Sequence, residues 1–190
     1  MTKDLHTLPA GLPVPEDDGA CDHLPGRKLP PLALASTDGG FVDLSTLRGV
    51  TVLYCYPMLG RPDAAPMPGW NEIPGARGCT PESCAFRDAH AALTAAGATL
   101  FGVSHQPLIE QQEARERLRL PFALLHDTDL ALTQALALPT FEYAGRTHIK
   151  RLTLIAHEDL ITKVFYPIFP PQDHAAAVAA WLRDQSALRD

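Results

Sequence analysis

Apolar positions in this chain come in short blocks, and two of the blocks are almost unbroken. Residues 51–57 (TVLYCYP) run apolar to Pro57, and residues 98–104 (ATLFGVS) repeat the pattern. Neither alternates, so each predicts a strand covered on both faces. A third run, FALLHD at 122–127, is shorter but strand-like too. Between the first two lies TPESCAFRDAHAALTAAG, residues 80–97. Thr80 offers a side-chain cap, Pro81 suits a first helical position, the body is rich in alanine, and Gly97 supplies a stop. Residues 107–120 predict a second helix, with Glu113 and Arg117 at the i, i+4 spacing of an ion pair. Residues 128–138 predict a third, opening on a capping residue, and 171–187 a closing one. Residues 32–49 read as a hairpin turning at Thr37-Asp38-Gly39-Gly40. HIKRLTLIA (148–156) and LITKVFYP (160–167), parted by His157-Glu158-Asp159, read as another. Strands and helices alternate through the middle, with hairpins at both ends. The fold class is therefore α/β: a mixed central β-sheet flanked by helices, with an N-terminal hairpin.

Two stretches lack any period. Residues 1–28, rich in Pro, Gly and charge, predict an irregular N-terminal arm that is ordered only if it packs on the domain formed by 29–190. Residues 58–75 form a proline-rich loop of a length that compact domains keep for function or mobility. A chain of 190 residues suits one domain with a sizeable core, and no repeat or composition break marks a second. The formal charge of −6 argues against nucleic acid or an anionic membrane as partner. No run approaches a membrane span, and the N-terminus lacks a signal-peptide core. The expectation is a cytoplasmic protein, where structural disulfides are uncommon. That shifts weight in any cysteine pair toward redox chemistry or metal binding.

The chain has four cysteines, and two of them, Cys79 and Cys84, sit five residues apart where a helix begins. A helix start gives Cys79 free backbone N–H groups and the positive end of the dipole, both of which favour thiolate, the nucleophilic form. At i, i+5 in a helix the two Cα atoms stand roughly 8–9 Å apart, whereas a disulfide tolerates no more than about 7 Å. A bond between them is therefore conditional on local unwinding, which suits a redox cycle better than a staple. Other readings stand beside this one. Cys55 lies in an apolar strand and reads as core packing; Cys21 lies in the arm, inert or a spare thiol. Cys79, Cys84, Cys21 and His23 form a conceivable zinc set, though the pair spacing is wide for one. GVSHQ (102–106) lacks the second glycine of a serine-hydrolase elbow.

The stretch GCTPESCAFRD resembles the active-site helix of the peroxiredoxins, and most closely that of the bacterioferritin comigratory protein or peroxiredoxin Q group. The likeness runs from about residue 29 to 184 and includes VLYCYP, GVS, LPFALLHDTD and RLTLIA in the same order. It implies a thioredoxin-like fold and a thiol peroxidase acting on hydrogen peroxide and organic hydroperoxides. It makes Cys79 the peroxidatic cysteine, Cys84 the resolving one, and Arg151 the strand-borne arginine aimed at the thiolate. Pro57, Gly78 and Glu82 match residues around the substrate, while Lys150 turns to the other face by strand alternation. The implied partners are a peroxide and thioredoxin or a similar dithiol donor, with no metal or organic cofactor and with a monomer or homodimer as the assembly. Two departures stand out. The family threonine three residues before the nucleophile is Ala76 here, and the loop after Pro57 is longer than usual. Trp70 and Asn71 are candidates to replace the missing hydroxyl; Arg77 reads more simply as solvated. A thiol–disulfide oxidoreductase of the same fold and a non-enzymatic redox sensor remain as alternatives.

Overall fold

The apolar blocks at 51–57 and 98–104 become neighbouring parallel strands in the middle of a seven-stranded sheet. The computed structural model describes residues 5–64 and 67–187. Its elements are β1 (Ala33–Ser36), β2 (Phe41–Asp43), β3 (Val50–Cys55), α1 (Cys79–Ala95), β4 (Ala98–Ser104), α2 (Leu108–Leu118), β5 (Leu124–His126), α3 (Ala131–Leu136), β6 (Thr140–Tyr143), β7 (Arg146–Ile149), β8 (Leu152–His157), β9 (Leu160–Phe165) and α4 (His174–Ala187). The sheet order is β2-β1-β5-β4-β3-β8-β9. Strands β3, β4 and β5 run parallel; β1 and β8 join them antiparallel.

Strand alternation divides the core in two. Val52 and Tyr54, with Tyr56 just beyond, pack with Phe86 and Leu93 of α1, Leu118 of α2, and Val178 and Leu182 of α4. Leu53 and Cys55 face the other way, onto Leu132 and Leu136 of α3 and onto Cys21, Leu24 and Leu29. The N-terminal segment thus completes the second layer. It also runs along the sheet edge: Gly26 N–H donates to Ile161 O at 2.8 Å and Leu29 N–H to Asp159 O at 2.7 Å. An exposed edge strand is thereby covered. Each fully buried leucine or phenylalanine contributes about 1.5–3 kcal/mol of burial free energy, so a segment carrying Leu24 and Leu29 at 0% and 2% exposure is a substantial part of the core.

Four local expectations need correction. Helix α1 starts at Cys79 with Gly78 as its N-cap, so Thr80 does not cap and Pro81 is the third helical residue. Proline is accommodated there because the first helical N–H groups have no intrahelical partner in any case. Helix α3 is capped by the Asp127 carboxylate, which accepts from Leu132 N–H at 2.7 Å and Thr133 N–H at 3.0 Å, not by Thr128. The run 148–156 is not one strand. It breaks at Lys150 and Arg151, and its first part pairs backward with Thr140–Tyr143 as a separate two-stranded ribbon. Arg151 therefore projects from a bend, and alternation along a strand does not govern Lys150, whose Nζ reaches Asp18 at 2.9 Å. Among the described residues no helix is long and apolar enough to cross a membrane.

Candidate active site

Glycine at position 78 is what lets the chain enter α1 at this place. Its φ of +115° lies in the region that side-chain-bearing residues rarely adopt, and a Cβ there would stand 2.4 Å from Pro171 Cγ. The backbone then passes directly into Cys79, the first helical residue. The first intrahelical bond is Glu82 N–H to Gly78 O, at 3.0 Å. The N–H groups of Cys79 and Thr80 precede it, and Pro81 has none. The positive end of the helix dipole thus falls on the sulfur of Cys79 and the space above it.

That space is a cavity of ≈ 540 Å³, open to solvent, with Ala76 to Pro81 on one wall. Met58, Leu59, Met67 and Trp70 of the long loop and Leu5 and Pro9 of the N-terminal segment form apolar walls. Trp70 is fixed by ring contacts with Phe141, Tyr143 and His148, so the extra β6–β7 ribbon supports the cavity wall. Gln106 holds the loop from behind, accepting from Leu59 N–H at 2.9 Å and donating to Leu59 O at 3.1 Å.

Arg151 reaches the sulfur from the sheet side. Its Nη2 donates to Cys79 Sγ at 3.2 Å, and the same nitrogen is caged by the carbonyls of Gly75, Ala76 and Arg77 at 3.2, 3.4 and 3.4 Å. Its Nη1 donates to Glu82 Oε2. Arg151 and Cys79 are each 3% exposed, and Glu82 is fully buried. Burial pushes the Glu82 carboxyl up to about 7, against the pull of the guanidinium. One guanidinium thus serves two acids in a medium where charge interactions are strong. A cation held at 3.2 Å from the sulfur stabilises negative charge on it. Behind Arg151, His174 sits between Phe86 and Phe165 and bonds Thr153 Oγ1 at 2.8 Å. Burial, helped by Arg151, lowers its pKa to about 3, so it is a neutral packing group.

The expected site residues are divided by this geometry. Cys79, Gly78, Glu82 and Arg151 come together at the helix start. Cys84 lies further along α1, 9% exposed, with a free thiol that burial pushes above its ordinary pKa. Pro57 is buried away from the cavity wall, its carbonyl accepting from Ser104 Oγ at 3.1 Å, so it supports the site without lining it. Ser104 is itself fully buried and committed to that bond. Ala76 lines the cavity with a methyl, while its carbonyl accepts from Arg151 and, at 3.7 Å, from Cys79 Sγ. Trp70 and Asn71 line the same cavity, and so does Arg77, which is half-buried where the sequence suggested a solvated side chain. The zinc set does not assemble: Cys21 packs in the core layer opposite to that of Cys79 and Cys84. Cys55 is fully buried as a core residue. Sequence reasoning missed Pro171, His174, Leu5 and His6, because nothing local links the last helix or the N-terminal segment to residue 79.

Comparison with known proteins fits this geometry. The profile described as the AhpC/TSA family matches residues 73–163. Peroxiredoxin Bcp of Bacillus subtilis (strain 168) is 32% identical over 169 residues, 85% of this chain and 96% of that one. Chloroplastic peroxiredoxin Q of Oryza sativa subsp. japonica is 27% identical over 150 residues, covering 78% of this chain and 62% of that longer protein. The crystal structure of peroxidoxin BcpB from Mycobacterium tuberculosis superposes with a TM-score of 0.67 at 26% identity, over 85% of this chain and 98% of that one.

Proposed function

The chain belongs to the AhpC/TSA family, as a peroxiredoxin of the Bcp/peroxiredoxin Q group, and on that premise we propose that Cys79 is its peroxidatic cysteine and Cys84 its resolving cysteine. The observation that carries this reading is the Arg151 Nη2 donor 3.2 Å from Cys79 Sγ, beside the cavity at the start of α1.

The Cys79 thiolate attacks one peroxide oxygen. The S–O bond forms as the O–O bond breaks; sulfur is oxidised, and water or alcohol departs after taking a proton. Arg151 stands where negative charge spreads from sulfur onto the breaking bond, and its cage of three carbonyls holds it there without reorganisation. Glu82 positions the other arm of the guanidinium. The apolar walls from Met58, Leu59, Trp70 and Leu5 suit organic hydroperoxides as well as hydrogen peroxide. Cys84 then displaces hydroxide from the Cys79 sulfenic acid once the first turns of α1 open, closing an intrachain disulfide. Thioredoxin or a similar dithiol protein reduces it by exchange. We place this cycle in the cytoplasm, in a monomer or homodimer.

The test is peroxide consumption with thioredoxin and its reductase. Cys79→Ser should abolish it. Cys84→Ser should consume a single equivalent and then stop. Full turnover by Cys79→Ser would end the proposal, and stoichiometric oxidation of the unaltered protein without turnover would favour a redox sensor.

A further inference from the structure

Residues 5–9 cross the start of α1 as a strap. Leu5 is buried against Gly60, where a Cβ would meet its side chain at 2.9 Å. Leu8 lies 3.3 Å from the Cβ position of Gly78. Between these two anchors His6 is held with Nδ1 at 3.8 Å from Cys84 Sγ, within reach of an S–H···N hydrogen bond.

We propose that His6 is the catalytic base for Cys84 in the disulfide-forming step, an inference that rests on Cys84 being the resolving cysteine. Cys84 needs a base because it is mostly enclosed, and burial favours its thiol over the thiolate that attacks. Among the described residues, the charged groups facing it are Arg87, which also hydrogen-bonds its sulfur, and Asp88 on α1 and Arg117 on α2. The two arginines keep their protons. Asp88 is a weak base already paired with Arg87 at 2.8 Å. An imidazole is the side chain suited to take a proton near neutral pH and return it. In the step, Cys84 S–H gives its proton to His6 Nδ1. The new thiolate attacks the Cys79 sulfur, the S–S bond forms, and the S–O bond breaks. The departing hydroxide takes the proton back from the imidazolium, so Cys79–SOH and Cys84–SH give one disulfide and one water.

Single-turnover stopped-flow of the full chain, following tryptophan fluorescence, separates the two steps. Sulfenic acid formation scales with peroxide concentration; disulfide closure does not. His6→Gln should leave the first phase unchanged and slow the second by about 10²-fold, the lower range of general-base contributions. The pH profile adds a readout that loss of packing would not move. The second phase of the unaltered protein should depend on pH less steeply than that of His6→Gln, in which the rate follows ionisation of the Cys84 thiol alone. An unchanged second phase with an unchanged profile overturns the proposal, as does equal slowing of both phases. Cys84→Ser tests the premise separately. If the second phase survives there, the resolving role of Cys84 is wrong whatever His6→Gln does.

Discussion

Replacing Arg151 by methionine should separate two effects of one guanidinium. The first is on rate. Methionine keeps the apolar bulk but removes the donor 3.2 Å from Cys79 Sγ. A hydrogen bond to a charged group contributes about 1.5–3 kcal/mol, and each 1.36 kcal/mol is tenfold in rate, so the peroxide reaction should slow by about 10- to 150-fold. The second effect is on stability. Glu82 is fully buried with Arg151 as its ion-pair partner, and breaking a buried pair by removing one member costs about 3–5 kcal/mol. The pH dependence has a definite sign. Burial holds the Glu82 carboxyl at about 7 against an ordinary 4.5, so between these values the folded chain binds more protons than the unfolded one. Stability from this group is complete below 4.5 and is lost as pH rises toward 7. Without the guanidinium the window stretches upward, and Arg151→Met should be less destabilised at acidic than at alkaline pH. Glu82→Gln added to Arg151→Met removes the stranded carboxyl and should restore most of the stability while leaving the rate low. Urea unfolding at the two pH extremes and stopped-flow oxidation measure the two effects. If Arg151→Met oxidises at the unaltered rate, or if the double variant regains it, the guanidinium does not act on the sulfur and the reasoning is refuted.

Gly78→Ala should cost more than the roughly 1–2 kcal/mol of a left-handed backbone alone, because the new Cβ also meets Pro171 at 2.4 Å; thermal unfolding checks the stability, and peroxide oxidation should fall as the helix start shifts. His174 is pushed from 6.5 to about 3 by burial, so it binds protons in the unfolded chain first and its contribution to stability is lost as pH falls from 6.5 toward 3. The difference between unaltered protein and His174→Gln in urea midpoint against pH isolates this slope from the opposite one of Glu82. Trp70→Ala removes an aromatic side chain packed on Phe141, Tyr143 and His148; it should cost about 3–5 kcal/mol and widen the cavity, which shows as a relative gain for bulky over small hydroperoxides in competition assays.

Much of the middle of the chain was legible residue by residue. The run ATLFGVS is β4 from end to end, and TVLYCYP carries β3, because unbroken apolar runs have few alternatives once helices cover both faces. The helix containing Cys79 and Cys84 was legible through its alanine-rich body and Gly97, but its first residue was not. Capping rules favour Thr80, whereas the close contact of Gly78 with Pro171 selects Gly78. The β6–β7 ribbon was hidden because its two strands are only four residues each and include Glu142 and Arg146, and the ribbon is held by Trp70 from the distant loop. The proximity of Cys79 and Glu82 was legible, since both lie in the first turn of one helix. That Arg151 leaves a bend to reach them was not.

Most of the helices and the strands of the central sheet, and the lodging of two cysteines five residues apart at the front of one helix, were decided by the sequence alone, because they depend on side-chain period and backbone preference over a few residues. What surrounds those cysteines was decided only when distant segments met. The Arg151 cage, the Pro171 contact, the tryptophan wall and the strap that brings His6 to Cys84 join parts of the chain dozens of residues apart. The reason is physical: local pattern fixes which face of an element is apolar, but the partner that covers it is chosen by the packing of the whole core.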